Sequence, residues 1–284
     1  MDSLVPERMA AHFEAAKSAK LLTVNGTNDA GCGWLVVRLL GDWLRQSAPT
    51  PDQAGDTGIV VFSLHHTFEY YASNLASFGI DLKKYEAQGL FRYIGDVYSH
   101  ILGLGADPAA AAAAAAAAEA PTAEPAQTLE AALELLYDEA AQIRQTYART
   151  VLLLDAPELA LPLFDNDAHR PDWWLELMQN AAFHFHHTIV AMTLDAPHAD
   201  PQAADDQDAV ARTHAMQALS AHADMAMMVR STGDQRNTKY DGTVRVAYRR
   251  EYEPPRPDVR CREETFVYQL RPDGRSIAIL DSYE

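Results

Sequence analysis

The stretch Leu21-Leu22-Thr23-Val24-Asn25-Gly26-Thr27-Asn28-Asp29-Ala30-Gly31-Cys32-Gly33, running into Trp34-Leu35-Val36-Val37, decides the fold. Leu21 to Val24 is a short apolar run ended by Asn25-Gly26, the pattern of a buried strand entering a turn. From Trp34 to Leu44 apolar residues recur at i, i+3 and i+4, which predicts a helix packed on one face. The same alternation continues along the chain. Gly58 to Leu64 reads as a second strand, Phe68 to Phe78 as a helix stopped by the C-cap residue Gly79, and Leu90 to Ile94 as a third strand. Thr128 opens a helix carrying Leu129, Leu133, Leu136, Ile143 and Tyr147 near one face. Thr150 to Leu154 is a fourth strand, Asp172 an N-cap for the helix from Trp173, and Thr188 to Leu194 a fifth strand. Strands apolar on both faces, alternating with helices, predict an α/β fold built on a largely parallel sheet.

Past a polar stretch from Asp195 to Gln207 the character changes. Val244 to Tyr248, Thr265 to Leu270 and Ser276 to Leu280 alternate as antiparallel strands do, and Arg271-Pro272-Asp273-Gly274-Arg275 joins the last two as a hairpin. The expected organisation is one domain over 1–284, with a low-complexity insertion at 103–128 that holds ten consecutive alanines, Ala109 to Ala118. A face of methyl groups buries too little area to dock firmly, so the insertion belongs on the surface.

The chain has 284 residues and a formal charge of −17. So acidic a protein does not bind nucleic acid through its bulk charge and does not coat an anionic membrane. No apolar stretch approaches the ~20 residues of a membrane span. The amino terminus is charged throughout and lacks the apolar core of a secretory signal. With Cys32 and Cys261 in no metal spacing, the expectation is an intracellular protein with reduced thiols. The acidity is uneven: residues 1–229 hold 12 basic and 30 acidic side chains, whereas residues 230–275 hold 11 basic and 8 acidic. A nucleic-acid contact would therefore fall among Arg230, Arg236, Lys239 and Arg245.

The first strand-to-helix turn carries the chemistry. Nucleotide-binding loops place G-x-x-x-x-G-K-[ST] there: backbone N–H groups close on phosphates, the Lys meets the β and γ phosphates, and the hydroxyl holds Mg²⁺. Here Gly26 and Gly31 keep the glycine positions, but Cys32 stands for the Lys and Gly33 for the Ser/Thr. Asp29 adds a negative charge inside the loop. Val151-Leu152-Leu153-Leu154-Asp155 has the form of the strand whose acid positions Mg²⁺, which makes Asp155 the matching degenerate acid.

His65-His66-Thr67-Phe68-Glu69-Tyr70-Tyr71, then Phe78-Gly79-Ile80-Asp81-Leu82, then Gln88-Gly89-Leu90-Phe91-Arg92-Tyr93-Ile94, resembles the RecA/KaiC-type segment. With both the loop Lys and the loop Ser lost, the chain resembles the RecA-like accessory subunits of Elongator, the sixth-subunit family above all. The resemblance runs in order over roughly residues 20–195; the alanine run lies outside it. It implies a RecA-like (KaiC-type) domain without ATPase activity or cofactor. It also implies a heterohexameric ring with the fourth and fifth subunits, docking on the catalytic Elongator subcomplex, and tRNA contact in support of wobble-uridine (U34) modification. A cytoplasmic and nuclear location goes with that role. Two other readings share the fold: the fifth Elongator subunit, and an unusual active RecA-type ATPase or recombination accessory protein.

Other residues weigh less. His184, His186 and His187 crowd a helix end without an accompanying Cys, so they predict helix-end contacts and no metal site. Glu69 stands where active relatives of this fold carry a water-activating Glu, and is expected as an exposed or interface acid. Of Trp173 and Trp174, one is expected in the core and one at an interface. No nucleophile turn of the G-x-S-x-G kind occurs.

Overall fold

Among the described residues nine strands form one sheet, in the order β3-β2-β4-β5-β1-β6-β7-β8-β9. The structure, a computed structural model, describes residues 4–27, 30–48, 56–95, 129–163, 170–194, 207–231, 240–249, 252, 263–270 and 277–280. In chain order the elements are α1 (Ala10–Ala16), β1 (Leu21–Thr27), α2 (Gly33–Ser47), β2 (Thr57–Ser63), α3 (Phe68–Ala76), α4 (Leu82–Ala87), β3 (Phe91–Ile94) and α5 (Leu129–Thr146). They continue as β4 (Arg149–Asp155), α6 (Arg170–His184), β5 (His187–Leu194), α7 (Gln207–His222), β6 (Met225–Ser231), β7 (Gly242–Tyr248), β8 (Glu263–Leu270) and β9 (Ile277–Leu280). Strands β1 to β6 pair in parallel; β6 to β9 pair antiparallel. The parallel sheet with an antiparallel extension is thus as the patterning predicts. The insertion at 103–128 and the turn at 271–275 lie outside the described residues.

Side chains alternate across each strand, so the sheet feeds two apolar layers. On one face Leu22, Val24, Ile59, Val61, Val151 and Leu153 pack with Phe13, Leu35, Leu39, Trp43, Tyr71 and Leu75 from α1, α2 and α3. On the other, Val60, Phe62, Leu152, Leu154 and Val190 pack with Leu136, Trp174, Met178 and Leu219 from α5, α6 and α7. The continuous apolar strands are needed because both faces are covered.

Two boundaries differ from expectation. Asn25-Gly26 is not the turn: β1 runs on to Thr27, paired with β5 to its end and with β6 as far as Asn25, and the Asn25 amide donates to the Ser220 hydroxyl at 3.1 Å on α7. That partner lets a polar residue stay inside the sheet. Helix α6 begins at Arg170, so Asp172 lies within it and does not cap it. Pro171 sits in the first turn, where a missing N–H costs nothing.

Because β1, β2, β4 and β5 run the same way, their carboxyl ends, Asn25–Thr27, Ser63, Asp155 and Met192–Leu194, lie along one edge of the sheet. In open α/β sheets that edge is where ligands bind. Gly79 follows α3 with φ +76°, a left-handed conformation that allows the Ile80 N–H to reach the Leu75 carbonyl at 3.1 Å. Replacing Gly79 with Ala adds a Cβ at that φ, and urea unfolding is expected to show a loss of about 1–2 kcal/mol; an unchanged midpoint would contradict this account of the turn.

Candidate functional site

The first side chain to place is Asp155, the last residue of β4 and 5% exposed. A buried carboxylate must be hydrogen-bonded. Its Oδ2 accepts from the Ser63 hydroxyl at 2.6 Å, across the β2–β4 pairing, and from His66 Nδ1 at 2.8 Å. Burial pushes the carboxyl pKa up, but the His66 and Ser63 contacts outweigh it and hold the group below its ordinary value. Ser63 also accepts the His66 N–H at 2.9 Å, and the Tyr93 hydroxyl donates to the His66 carbonyl at 2.6 Å. His66 is therefore fixed at its ring, its amide and its carbonyl.

The fixed imidazole sets the next layer. Tyr70, in the first turn of α3, stacks on His66 with ring centroids 3.9 Å apart and planes 21° apart. This places the Tyr70 hydroxyl against Gly33, the first residue of α2. A Cβ built at Gly33 would lie 2.5 Å from that oxygen and 3.8 Å from His66 Cε1. The space that a loop Ser or Thr side chain would fill is occupied by a tyrosine from another helix.

The two residues that flank the loop are tied to each other. Thr27 and Ala30 exchange two backbone hydrogen bonds, of 3.1 and 2.9 Å, so both N–H groups are spent inside the loop. At Gly26 a Cβ would meet Cys32 N at 2.8 Å and Ala30 O at 2.9 Å, so the returning chain presses on β1 where only glycine fits. Gly31, by contrast, has open space around it.

At the Lys position, Cys32 is buried, with its thiol 3.7 Å from the Met192 carbonyl. Burial, then the Asp155 and Glu158 carboxylates, push the thiol pKa up to about 12, so it is a neutral group. Glu158, in the turn after β4, is itself buried and accepts the Thr193 N–H at 2.8 Å. The chain enters that turn through Ala156, held at φ +56°, with its N–H on the Ala191 carbonyl at 2.8 Å. Two buried acids, Asp155 and Glu158, therefore lie near the thiol that stands at the loop's Lys position. Burial and the Asp155 charge also push the Tyr70 hydroxyl up to about 12, so it remains protonated.

The structure places Gly26 against the Cys32 backbone, Gly33 against the Tyr70 hydroxyl, and the Cys32 thiol within the field of Asp155, with Gly31 in open space beside them. It adds Ser63, His66, Tyr70 and Glu158, for which the sequence offers only one hint, a glycine at the hydroxyl position. Glu69 is exposed on α3, and Trp174 is fully buried with its indole N–H on the Pro157 carbonyl at 2.9 Å. His186 Nδ1 accepts the Thr150 N–H and His187 Nδ1 lies 2.9 Å from the Ala19 carbonyl, both at the opposite edge of the sheet. Among the described residues no three His, Cys, Asp or Glu side chains converge as metal ligands.

Of the basic residues, Arg230 on β6 and Arg245 on β7 are exposed on the same sheet face, since Arg245 pairs with Met228 two residues from Arg230. Arg245 is engaged with Glu263 at 2.6 Å. Arg236 and Lys239 lie outside the described residues. No described helix is long and apolar enough to cross a membrane.

Comparison with solved structures gives the fold its class. The chain is similar to a KaiC-like protein of the hyperthermophilic archaeon Pyrococcus horikoshii, with a TM-score of 0.55 and 12% identity, over 99% of this chain and 98% of that one. It is equally similar to an uncharacterised protein of the same organism solved in complex with an unknown peptide, with a TM-score of 0.55, 12% identity and 99% of each chain covered. No protein-family model and no curated protein matches the sequence. The fold is α/β and RecA-like, of the KaiC-like kind, with antiparallel strands appended.

The Tyr70–Gly33 packing makes a quantitative prediction. Gly33→Ser should destabilise the protein by about 1–3 kcal/mol through overpacking. In a Tyr70→Phe background, where the opposing oxygen is gone, most of that loss should disappear. A coupling below about 0.5 kcal/mol in a double-mutant cycle by urea unfolding would show that the two residues do not compete for space.

Proposed function

We propose that this chain is a non-catalytic RecA-like subunit, a pseudo-ATPase that serves as a building block of the Elongator accessory ring and so supports tRNA binding and wobble-uridine modification. One observation carries the non-catalytic part: the Tyr70 hydroxyl lies where a loop Ser or Thr would hold Mg²⁺. The neutral Cys32 in the Lys position and the self-bonded Thr27–Ala30 loop support it. Phosphate binding at a loop and helix N-terminus draws on free N–H groups and a compensating cation, and here two of the amides are engaged and a neutral thiol stands at the Lys position.

The ring reading draws its support from the resemblance in residues 59–94 and from the RecA-like fold of the described residues. In this reading the neighbours are the fourth and fifth subunits, the ring docks on the catalytic subcomplex, and the setting is cytoplasmic and nuclear. The tRNA contact runs through Arg230, Arg236, Lys239 and Arg245, of which Arg245 is already shared with Glu263.

Co-expression with the fourth and fifth subunits tests it. Light scattering after size exclusion should give an assembly of six chains, and charge reversal at Arg236 and Lys239 should weaken tRNA binding by that assembly about ten-fold. A chain that stays apart from both partners contradicts the ring, and unchanged tRNA affinity removes the assigned contact.

A further inference from the structure

The N-terminal helix is joined to the antiparallel strands by a buried imidazole that serves no part of the site above. His12 on α1 is 2% exposed. Its Nδ1 lies 2.5 Å from the Tyr248 hydroxyl at the end of β7, and its Nε2 lies 2.9 Å from Glu264 Oε2 on β8. The ring meets Phe266 edge-on at 5.2 Å and stacks at 5.8 Å on Tyr248. Behind Tyr248, Tyr252 stacks at 6.0 Å and its hydroxyl donates to the Ala15 carbonyl at 2.8 Å. The described titratable groups facing His12 are therefore Tyr248 from β7 and Glu264 from β8, with Tyr252 one ring further away.

We propose that His12, Tyr248 and Glu264 form a proton-operated latch, which ties α1 to β7 and β8 at neutral pH and loosens on mild acidification.

The geometry specifies the proton count. Burial keeps the Tyr248 phenol protonated, so it donates to Nδ1. Nδ1 then has no hydrogen, and Nε2–H donates to the Glu264 carboxylate: the neutral ring satisfies both neighbours. Adding a proton puts N–H on Nδ1, which turns the Tyr248 oxygen into an acceptor and displaces its own hydrogen from its acceptor. It also places a cation at a buried position edge-on to Phe266, where the acid paired with it among the described residues is Glu264, whose side chain is 48% exposed and partly screened by water. Burial, the largest influence, accordingly lowers the His12 pKa from its ordinary value of 6.5 against the opposing pull of Glu264. For a histidine the sign is this: the unfolded chain binds the proton first, so stability is full above pH 6.5 and falls as pH drops below it.

Amide exchange in α1, corrected for the intrinsic pH effect, tests the latch on the full chain. Protection at residues 10–16 should fall several-fold, with a ceiling of about eight-fold for one proton, between pH 7 and 5.5, and His12→Gln, which keeps a neutral hydrogen-bonding side chain, should abolish that dependence. The same fall in His12→Gln would overturn the proposal, because the other histidines would then account for it. If His12→Gln does not fold, Glu264→Gln decides instead: an NMR titration should place the His12 midpoint lower than in wild type. An unmoved midpoint would show that Glu264 does not act on the ring.

Discussion

A buried carboxylate that must be satisfied sets the order of everything around it. Asp155 ends a strand in the middle of the sheet, where an ionised group without partners would cost several kcal/mol. Ser63 and His66 supply those partners from the neighbouring strand end and the turn that follows it. In doing so they fix the imidazole, the imidazole seats Tyr70, and Tyr70 fills the space beside Gly33. Along this edge of the sheet, a continuous chain of contacts runs from one aspartate to the first residue of α2.

The packing around this turn acts together. Cys32 packs as a small buried group, Gly33 admits Tyr70, and the Thr27 and Ala30 amides each bond to the other's carbonyl. The proposed non-catalytic role rests on that combination and not on the absence of a Lys alone.

Much of this fold is legible in the sequence, and the reasons for the exceptions are physical. Strands such as Ile59–Phe62 and Val151–Leu154 are continuous apolar runs because both faces are covered, and that pattern is hard to mistake. Helix α7 escapes the periodicity because its inward residues include small ones, Ala215 beside Met216 and Leu219, among polar neighbours. Strand β6 escapes because Met-Ala-Met-Met resembles helix formers. Asn25-Gly26 mimics a turn because the partner that keeps Asn25 in the sheet, Ser220, is 195 positions away. The site divides the same way: Cys32, Gly33 and Asp155 are found by spacing along the chain, whereas His66 meets Asp155 across 89 positions. Only the missing side chain at Gly33 signals that something else occupies its place.

Calorimetric titration of the isolated chain with ATP in the presence of Mg²⁺ tests the central claim most directly. A nucleotide position filled by Tyr70, His66 and the loop's own backbone predicts no saturable heat up to about 1 mM ligand, weaker than about −4 kcal/mol of binding free energy. Saturation in the micromolar range would contradict it, because binding that tight requires the phosphate cradle that these residues close.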